Sequence, residues 1–375
     1  MKKIYFITYQ FKTGGVEKLF LTLSDHLVDF EVFLIPLNAN FDHLIQDIPS
    51  RIQVVNLSDR NKILRVFTRQ KNFISVCCAF VMKILMLLFD RTIRNSIIIN
   101  FSDTFSTLLV TYILSWRNKS LSWVHLNPLE FKKSFFFRGY KSLFQRMSAI
   151  VCICHDQKKI FHQVFRNVPE KKSVVIYNSI DPVRIDGLKS EPVNIDKPFM
   201  LSVARLDSRS KDFRTLIEAF GQFKHNMPYS GKLVIIGDGD DKEGLLHFTK
   251  ELGLENSVIF QGIEANPYRW MAKADAFVLS SKFEGFGLVL VEAMQSGTLV
   301  ISTNCKIGPD EILAHGHAGI LVEVGNIDQM EKAMCEGITN IYLRNGKLEA
   351  ANEQVKKFYV QNSVRDFRKL IKMLS

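Results

Sequence analysis

Two glutamates, Glu284 and Glu292, stand with seven residues between them, and Gly285 and Gly287 follow the first of the pair. A short apolar run, Ala276-Phe277-Val278-Leu279, precedes them and reads as a buried strand of a parallel sheet. The helix opening after Gly287 presents backbone donors and partial positive charge, and the two glycines let a ligand come close. The group such a helix start suits is a phosphate. A carboxylate repels phosphate, so Glu284 and Glu292 are suited to hydroxyls. Phosphate on one side and hydroxyls on the other describe a nucleotide sugar. Arg205 and Lys211 follow another apolar run, 199–203, and would pair with a diphosphate. Their alternative is a pair of solvated loop cations. His125 ends the run 121–124, where open α/β sheets bind ligands; the other reading of it is structural.

The elements that must carry these residues recur in two series. Ile4-Tyr5-Phe6-Ile7 predicts a strand, Gly14-Gly15-Val16-Glu17 a loop, and Leu19, Leu23 and Leu27 the stripe of a helix. This opens a Rossmann-like unit, but Gly-x-Gly-x-x-Gly is absent, which disfavours a dehydrogenase. Further strands are predicted at 31–36, 54–57, 96–99, 121–124, 149–154 and 173–176. Prolines, Gly187 and polar residues up to Pro198 mark an interdomain linker. The series then restarts, with strands at 199–203, 232–236, 257–260, 276–279, 299–302 and 319–322. Gly237 opens the turn Gly237-Asp238-Gly239-Asp240-Asp241, whose acids suit a helix start better than a metal, and Gly262 stands in the loop after a later strand. The helix after Gly287 runs to about Ser296, with Gly297 as its left-handed stop. A basic amphipathic helix closes the chain at 364–374.

With 375 residues, 47% of them hydrophobic, the chain has ample material for two domains. Residues 1–185 hold 26 basic and 13 acidic side chains, a net of +13; the remainder hold 23 and 25, a net of −2. The first half therefore faces something anionic. Arg60, Lys62, Arg65 and Arg69 interleave with apolar residues at helical spacing, which fits a membrane interface or a solvated face. The apolar stretch 73–89 contains Lys83 and reads as a buried or half-inserted helix rather than a span. Lys132 and Lys133 lead into Ser134-Phe135-Phe136-Phe137-Arg138, a mixture that suits the lipid–water boundary or the stacking of single-stranded bases. Six cysteines form no CxxC pair and no zinc spacing; they read as reduced core thiols of a cytoplasmic protein, with Cys152 and Cys154 on one face of a strand. The apolar run after Lys3 is too short for a signal peptide.

Taken together, Gly14-Gly15-Val16-Glu17, Val203-Ala204-Arg205-Leu206 with Lys211, Glu284-(x7)-Glu292 and Gly308-Pro309-x-Glu311-Ile312 resemble the retaining glycosyltransferases of family 4, of bacterial surface-polysaccharide type. The resemblance implies the α/β GT-B fold: two Rossmann-like parallel-sheet domains, 1–185 and 186–360, facing a central cleft. A C-terminal helix, 361–375, crosses back to the first domain. It further implies that Arg205 and Lys211 hold the donor diphosphate, Glu292 the ribose and Glu284 the transferred sugar. Backbone around Gly285, Phe286, Gly287, Leu288 and Val289 cradles phosphate, Gly14 and Gly15 close on it, and Gly237 and Gly262 join the donor-binding set. His125 is the first-domain histidine approaching the sugar. The family's usual Lys-Gly reads Lys211-Asp212 here. The implied activity is transfer from a UDP-sugar, a hexose or N-acetylhexosamine, to a lipid-linked oligosaccharide or surface polysaccharide. It uses no metal or other cofactor, and it takes place at the cytoplasmic face of an anionic inner membrane. Arg60, Lys62, Arg65, Arg69, Lys132 and Lys133 serve acceptor or membrane, and nucleic acid is not a partner. The alternatives are a sugar-nucleotide epimerase of the same fold and a nucleic-acid-binding α/β protein.

Overall fold

The computed structural model describes residues 1–10, 15–38, 48–57, 73–195 and 198–374. The chain divides into two units, one formed by Met1–Ser179 with Val360–Ser375 and the other by Ile180–Tyr359.

Alternating apolar runs and amphipathic helices produce, in the first unit, a seven-stranded parallel sheet among the described residues. Its strands are β1 (Lys2–Thr8), β2 (Phe30–Pro36), β3 (Gln53–Val54), β4 (Ile97–Asn100), β5 (Lys119–Val124), β6 (Ala149–Cys152) and β7 (Ser173–Val175), in the order β3-β2-β1-β4-β5-β6-β7. β1 pairs with β2 from Lys2↔Phe30 and with β4 from Ile4↔Ile97. The central strands are buried on both faces, which is why Ile4–Ile7 and Ile97–Ile99 read as unbroken apolar runs. The winding reverses between β1 and β4, so their C-terminal ends form a crevice.

The helix Phe73–Phe89 packs into the cluster of Ile35, Leu37, Val55 and Leu57 through Ala79 and Leu87. Lys83 is buried in it, and its Nζ donates to the Leu37 carbonyl. Burial lowers the lysine's pKa. The basic residue that interrupts an apolar helix thus has a backbone partner in a folded core. Among the described residues no helix is long and apolar enough to cross a membrane.

The C-terminal helix Val360–Leu374 belongs to this unit. Its apolar face, Val360, Val364, Phe367, Leu370 and Ile371, is buried. Phe367 meets Phe30 (6.4 Å between ring centroids) and Trp123 (5.9 Å). Arg368 closes a two-pronged ion pair on Asp29, with contacts of 2.6 to 3.2 Å.

The second unit repeats the design with six parallel strands among its described residues: β8 (Phe199–Val203), β9 (Lys232–Ile236), β10 (Val258–Gly262), β11 (Ala276–Leu279), β12 (Val300–Thr303) and β13 (Ile320–Val322). Their order is β10-β9-β8-β11-β12-β13, with the reversal between β8 and β11.

Three sequence expectations change. The segment read as a linker begins with a helix, Pro182–Leu188, whose N-cap Asp181 accepts from Val183 and Arg184 N–H, with Pro182 at the first helical position. This segment is tied to the second unit: Asn266 Nδ2 donates to the Leu188 carbonyl (2.9 Å) and Arg269 Nη1 to that of Pro192 (3.1 Å). The polar residues that suggested a loose connection are caps and partners. The strand expected to reach Cys154 ends at Cys152, because Cys154 turns to cap the helix His155–Val164 and its Sγ accepts from Gln157 N–H. The strand expected over 54–57 is Gln53–Val54, with Val55 and Leu57 buried beyond its end.

Candidate functional site

Arg205, Lys211, Glu284 and the turn at Gly285 and Gly287 follow the C-terminal ends of β8 and β11, the second unit's topological switch point. The loop after β8 carries exposed Arg205 and part-buried Lys211. It is laced to the loop after β11 by its backbone: Asp212 N donates to Ser280 O (2.9 Å), Lys282 N to Ser210 O (2.9 Å), and Lys211 bridges Ser281 in antiparallel fashion. On its other flank Leu206 N donates to Asp238 O (3.0 Å) and Asp241 N to Leu206 O (3.2 Å). Asp241 also accepts from Ser208 N–H, and Asp238 from Gly239 N–H (2.9 Å). The Asp241 carboxylate therefore ties this turn to the loop after β8. Among the described residues no cluster of three His, Cys, Asp or Glu side chains is arranged to hold a metal. Gly237 N donates to Gly262 O (2.8 Å), so these two glycines join the ends of β9 and β10.

Lys211 and Glu284 form an ion pair, their side chains 14% and 11% exposed. Glu284 Oε1 also accepts from Ser281 Oγ (2.7 Å). Ser281 is itself fixed by β12, its N–H donating to Thr303 Oγ1 and its carbonyl accepting from the same hydroxyl, both at 2.8 Å. The sequence assigned the lysine to phosphate and the glutamate to sugar hydroxyls as separate tasks; in the structure each is the other's partner. Beside them the Cys305 thiol is pushed up to about 12 by burial, with the Glu284 charge adding to it, so it is an inert thiol.

The helix Leu288–Gln295 starts at Gly287, whose φ of +95° is left-handed. Gly308, at φ +98°, lets a second loop lie against this turn: a Cβ there would stand 1.8 Å from the Phe286 carbonyl oxygen. The Phe286 ring is buried against Phe358 (5.8 Å between centroids), leaving its backbone to the loop. Gly285 and the half-buried Leu288 and Val289 complete the turn. Glu292, 7% exposed, lies further along the helix, and its Oε1 accepts from Tyr268 OH (3.2 Å). Burial and that carboxylate raise the Tyr268 pKa, so the phenol stays a donor. Tyr268 was not singled out in the sequence; it follows Asn266-Pro267 in a loop with no chemical pattern of its own.

The first unit holds a different kind of site at its own switch point. A cavity of about 310 Å³ lies at the ends of β1, β4 and β5, lined by Thr8, Tyr9, Glu17, Phe101, Asp103 and His125 among others. His125 is buried, its ring edge-on to Phe101 at 4.6 Å, and neither ring nitrogen has a hydrogen-bond partner among the described residues. Burial lowers its pKa to about 3, so the ring is neutral. Asp103 Oδ2 accepts from the backbone N–H of His125 (2.9 Å) and Leu126 (2.7 Å), holding the histidine's loop. Burial raises Asp103 to about 7 against those two bonds. Asp103 was missed in the sequence because its partners are backbone atoms 22 and 23 residues away. Gly15 begins the helix Gly15–Asp25. Lys132 and Lys133 are exposed on this unit, Lys133 pairing with Glu130 at 2.7 Å. Gly14, Arg60, Lys62, Arg65 and Arg69 lie outside the described residues.

Two six- and seven-stranded parallel sheets, each with its switch-point site, define the class: HepE of Anabaena, crystallised with UDP and glucose, superposes on all of this chain and all of its own with a TM-score of 0.78 at 20% identity. The fold is GT-B. Residues 186–357, within the second unit, match the model of the family described as glycosyl transferases group 1. The N-acetylgalactosamine-N,N'-diacetylbacillosaminyl-diphospho-undecaprenol 4-alpha-N-acetylgalactosaminyltransferase of Campylobacter jejuni is 35% identical over 55% of this chain and 55% of its own. The lipopolysaccharide 1,6-galactosyltransferase of Salmonella typhimurium is also 35% identical, over 44% of this chain and 45% of its own. The chain thus spans about half the length of the curated relatives it matches.

Proposed function

We propose that the protein is a retaining glycosyltransferase of family 4 that moves a hexose or N-acetylhexosamine from a UDP-sugar to a lipid-linked or surface-polysaccharide acceptor. The observation that carries this reading is the Lys211–Glu284 pair beside the left-handed turn at Gly287, at the switch point between β8 and β11. Such a place offers a cation, a helix start and carboxylates within one small volume. Arg205, Lys211 and the N–H groups after Gly287 take the diphosphate; Glu292, with Tyr268, takes the ribose; Glu284 takes the sugar hydroxyls. Donor binding gives Lys211 a phosphate partner and frees Glu284 to accept from hydroxyls, so the pair seen here is a ground-state arrangement that the ligand exchanges. The acceptor belongs to the first unit, where neutral His125 can accept from or donate to a hydroxyl.

In the reaction the anomeric C–O bond to phosphate breaks and the acceptor oxygen bonds to the same face of that carbon. Negative charge grows on the leaving phosphate, which Arg205, Lys211 and the helix start are preorganised to stabilise. The phosphate takes the acceptor's proton. The relatives' names, with their diphospho-undecaprenol and lipopolysaccharide acceptors, support a lipid-linked acceptor at a membrane surface. The test is UDP release from a panel of UDP-sugars with lipid-linked acceptors, the product's anomeric configuration read by NMR. Retention and activity that survives chelation of metals are expected; turnover of no nucleotide sugar, an inverted product or loss on chelation would each remove part of the reading.

A further inference from the structure

The ladder between β11 and β12 runs through Phe277↔Val300, Val278↔Ile301 and Leu279↔Ser302. Past Leu279 the chain leaves the sheet for the turn that carries Glu284 and Gly287, and a departing backbone must find new partners for its N–H and C=O groups. Ser281, two residues beyond the ladder and fully buried, has both satisfied by one side chain. The Thr303 hydroxyl accepts from Ser281 N–H and donates to Ser281 C=O, each at 2.8 Å. Thr303 is the last residue of β12 and is fully buried, and β12 is still paired there with β13 at Thr303↔Val322. The hydroxyl thus extends the sheet's hold past the point where the backbone ladder ends.

What it holds is the junction of the site. Ser281 Oγ donates to Glu284 Oε1 (2.7 Å) and accepts from Lys211 Nζ (3.4 Å), so this hydroxyl stands between the members of the ion pair. Ser281 also bridges Lys211 through its backbone. A shift of the Ser281 peptide would carry with it the Oγ and, three residues on, the Glu284 carboxylate. Both hydrogen bonds of the Thr303 hydroxyl go to that peptide, and neither reaches the charged pair.

We propose that Thr303 is a positioning residue for the transfer: acting through Ser281, its hydroxyl fixes the Glu284 carboxylate where the hydroxyls of the transferred sugar are received. The role is greatest once the donor is bound. Lys211 then has phosphate as its partner, and Ser281 is left to orient Glu284. A carboxylate that meets a reacting ring must be held closely, since misplacement by about 1 Å can cost about a hundredfold in rate. The inference rests on the reading of Glu284 given above, but the clamp on Ser281 is measurable without donor or acceptor, so the two fail separately.

Thr303→Val keeps the side chain's shape and removes the hydroxyl, whereas Thr303→Ser keeps the hydroxyl. Amide hydrogen exchange is read first, on the full chain alone. In Thr303→Val the amides from Ser281 to Gly287 should exchange at least about tenfold faster than in the parent, and in Thr303→Ser at the parent's rate. Parent-like exchange in Thr303→Val would overturn the proposal even if the parent turned over no nucleotide sugar. Kinetics, measured well below the Tm of each variant, then separate positioning from folding. Thr303→Val should lower kcat about ten- to a hundredfold while UDP affinity by calorimetry stays within about threefold of the parent, because Glu284 meets the sugar and not the diphosphate. Thr303→Ser should bring kcat back to within about threefold. An unchanged kcat in Thr303→Val, a loss of UDP affinity in step with kcat, or no recovery with serine would each overturn it.

Discussion

Lys211 has a formal positive charge, a carboxylate partner and little exposure, so its removal affects two things at once. Lys211→Ala takes away a cation aimed at the leaving phosphate and should lower kcat/KM by at least about a hundredfold, some 3 kcal/mol of transition-state stabilisation. It leaves Glu284 with Ser281 Oγ as a partner, so the fold should survive with a modestly lower Tm. Steady-state kinetics and a thermal melt separate the two effects. His125 and Asp103 predict a pH signature of opposite signs. The His125 pKa falls from 6.5 to about 3 on folding, so its contribution to stability is complete above pH 6.5 and is lost as pH falls toward 3. The Asp103 pKa rises from 3.8 to about 7, so its contribution is complete below pH 3.8 and is lost as pH rises through 7. Asp103→Asn keeps an acceptor for the two backbone N–H groups and removes the second loss. Its Tm should exceed that of the parent by several degrees at pH 8 and converge with it near pH 4. A variant that is no more stable at pH 8 would mean that Asp103 is solvated.

Among the elements, the turn from β11 into the helix Leu288–Gln295 was legible before any coordinates. The strand Ala276–Leu279, the glycines and the stop at Gly297, φ +83°, are all stated by local residue types. Loop-to-loop contact was not legible, because it depends on backbone atoms that any sequence supplies. Nothing in Lys211-Asp212 announces the bridge to Ser281, and nothing in Gly308-Pro309 announces that the loop rests on Phe286. That contact makes a prediction. Gly308→Ala puts a Cβ against the Phe286 carbonyl at a disfavoured φ, and should cost on the order of 3 kcal/mol and displace the phosphate turn. The readout is a lowered Tm together with loss of UDP binding. Tyr268 and Asp103 escaped for a related reason: each is defined by a partner far away in sequence.

The molecule as a whole is a chain whose first unit is discontinuous. The helix Val360–Leu374 supplies Phe367 to the core beside Phe30 and Trp123, so Phe367→Ala should cost about 3–5 kcal/mol and lower the Tm accordingly. The basic character of residues 1–185 was plain from composition, but composition alone could not tell lipid from nucleic acid. The central claim remains that the second unit grips a uridine diphosphate through Lys211 and the helix start after Gly287. Titration calorimetry of UDP against the parent chain and Lys211→Ala tests it most directly. The account predicts a single site in the parent and an affinity at least tenfold weaker in the variant; equal affinities, or no heat from the parent, would contradict it.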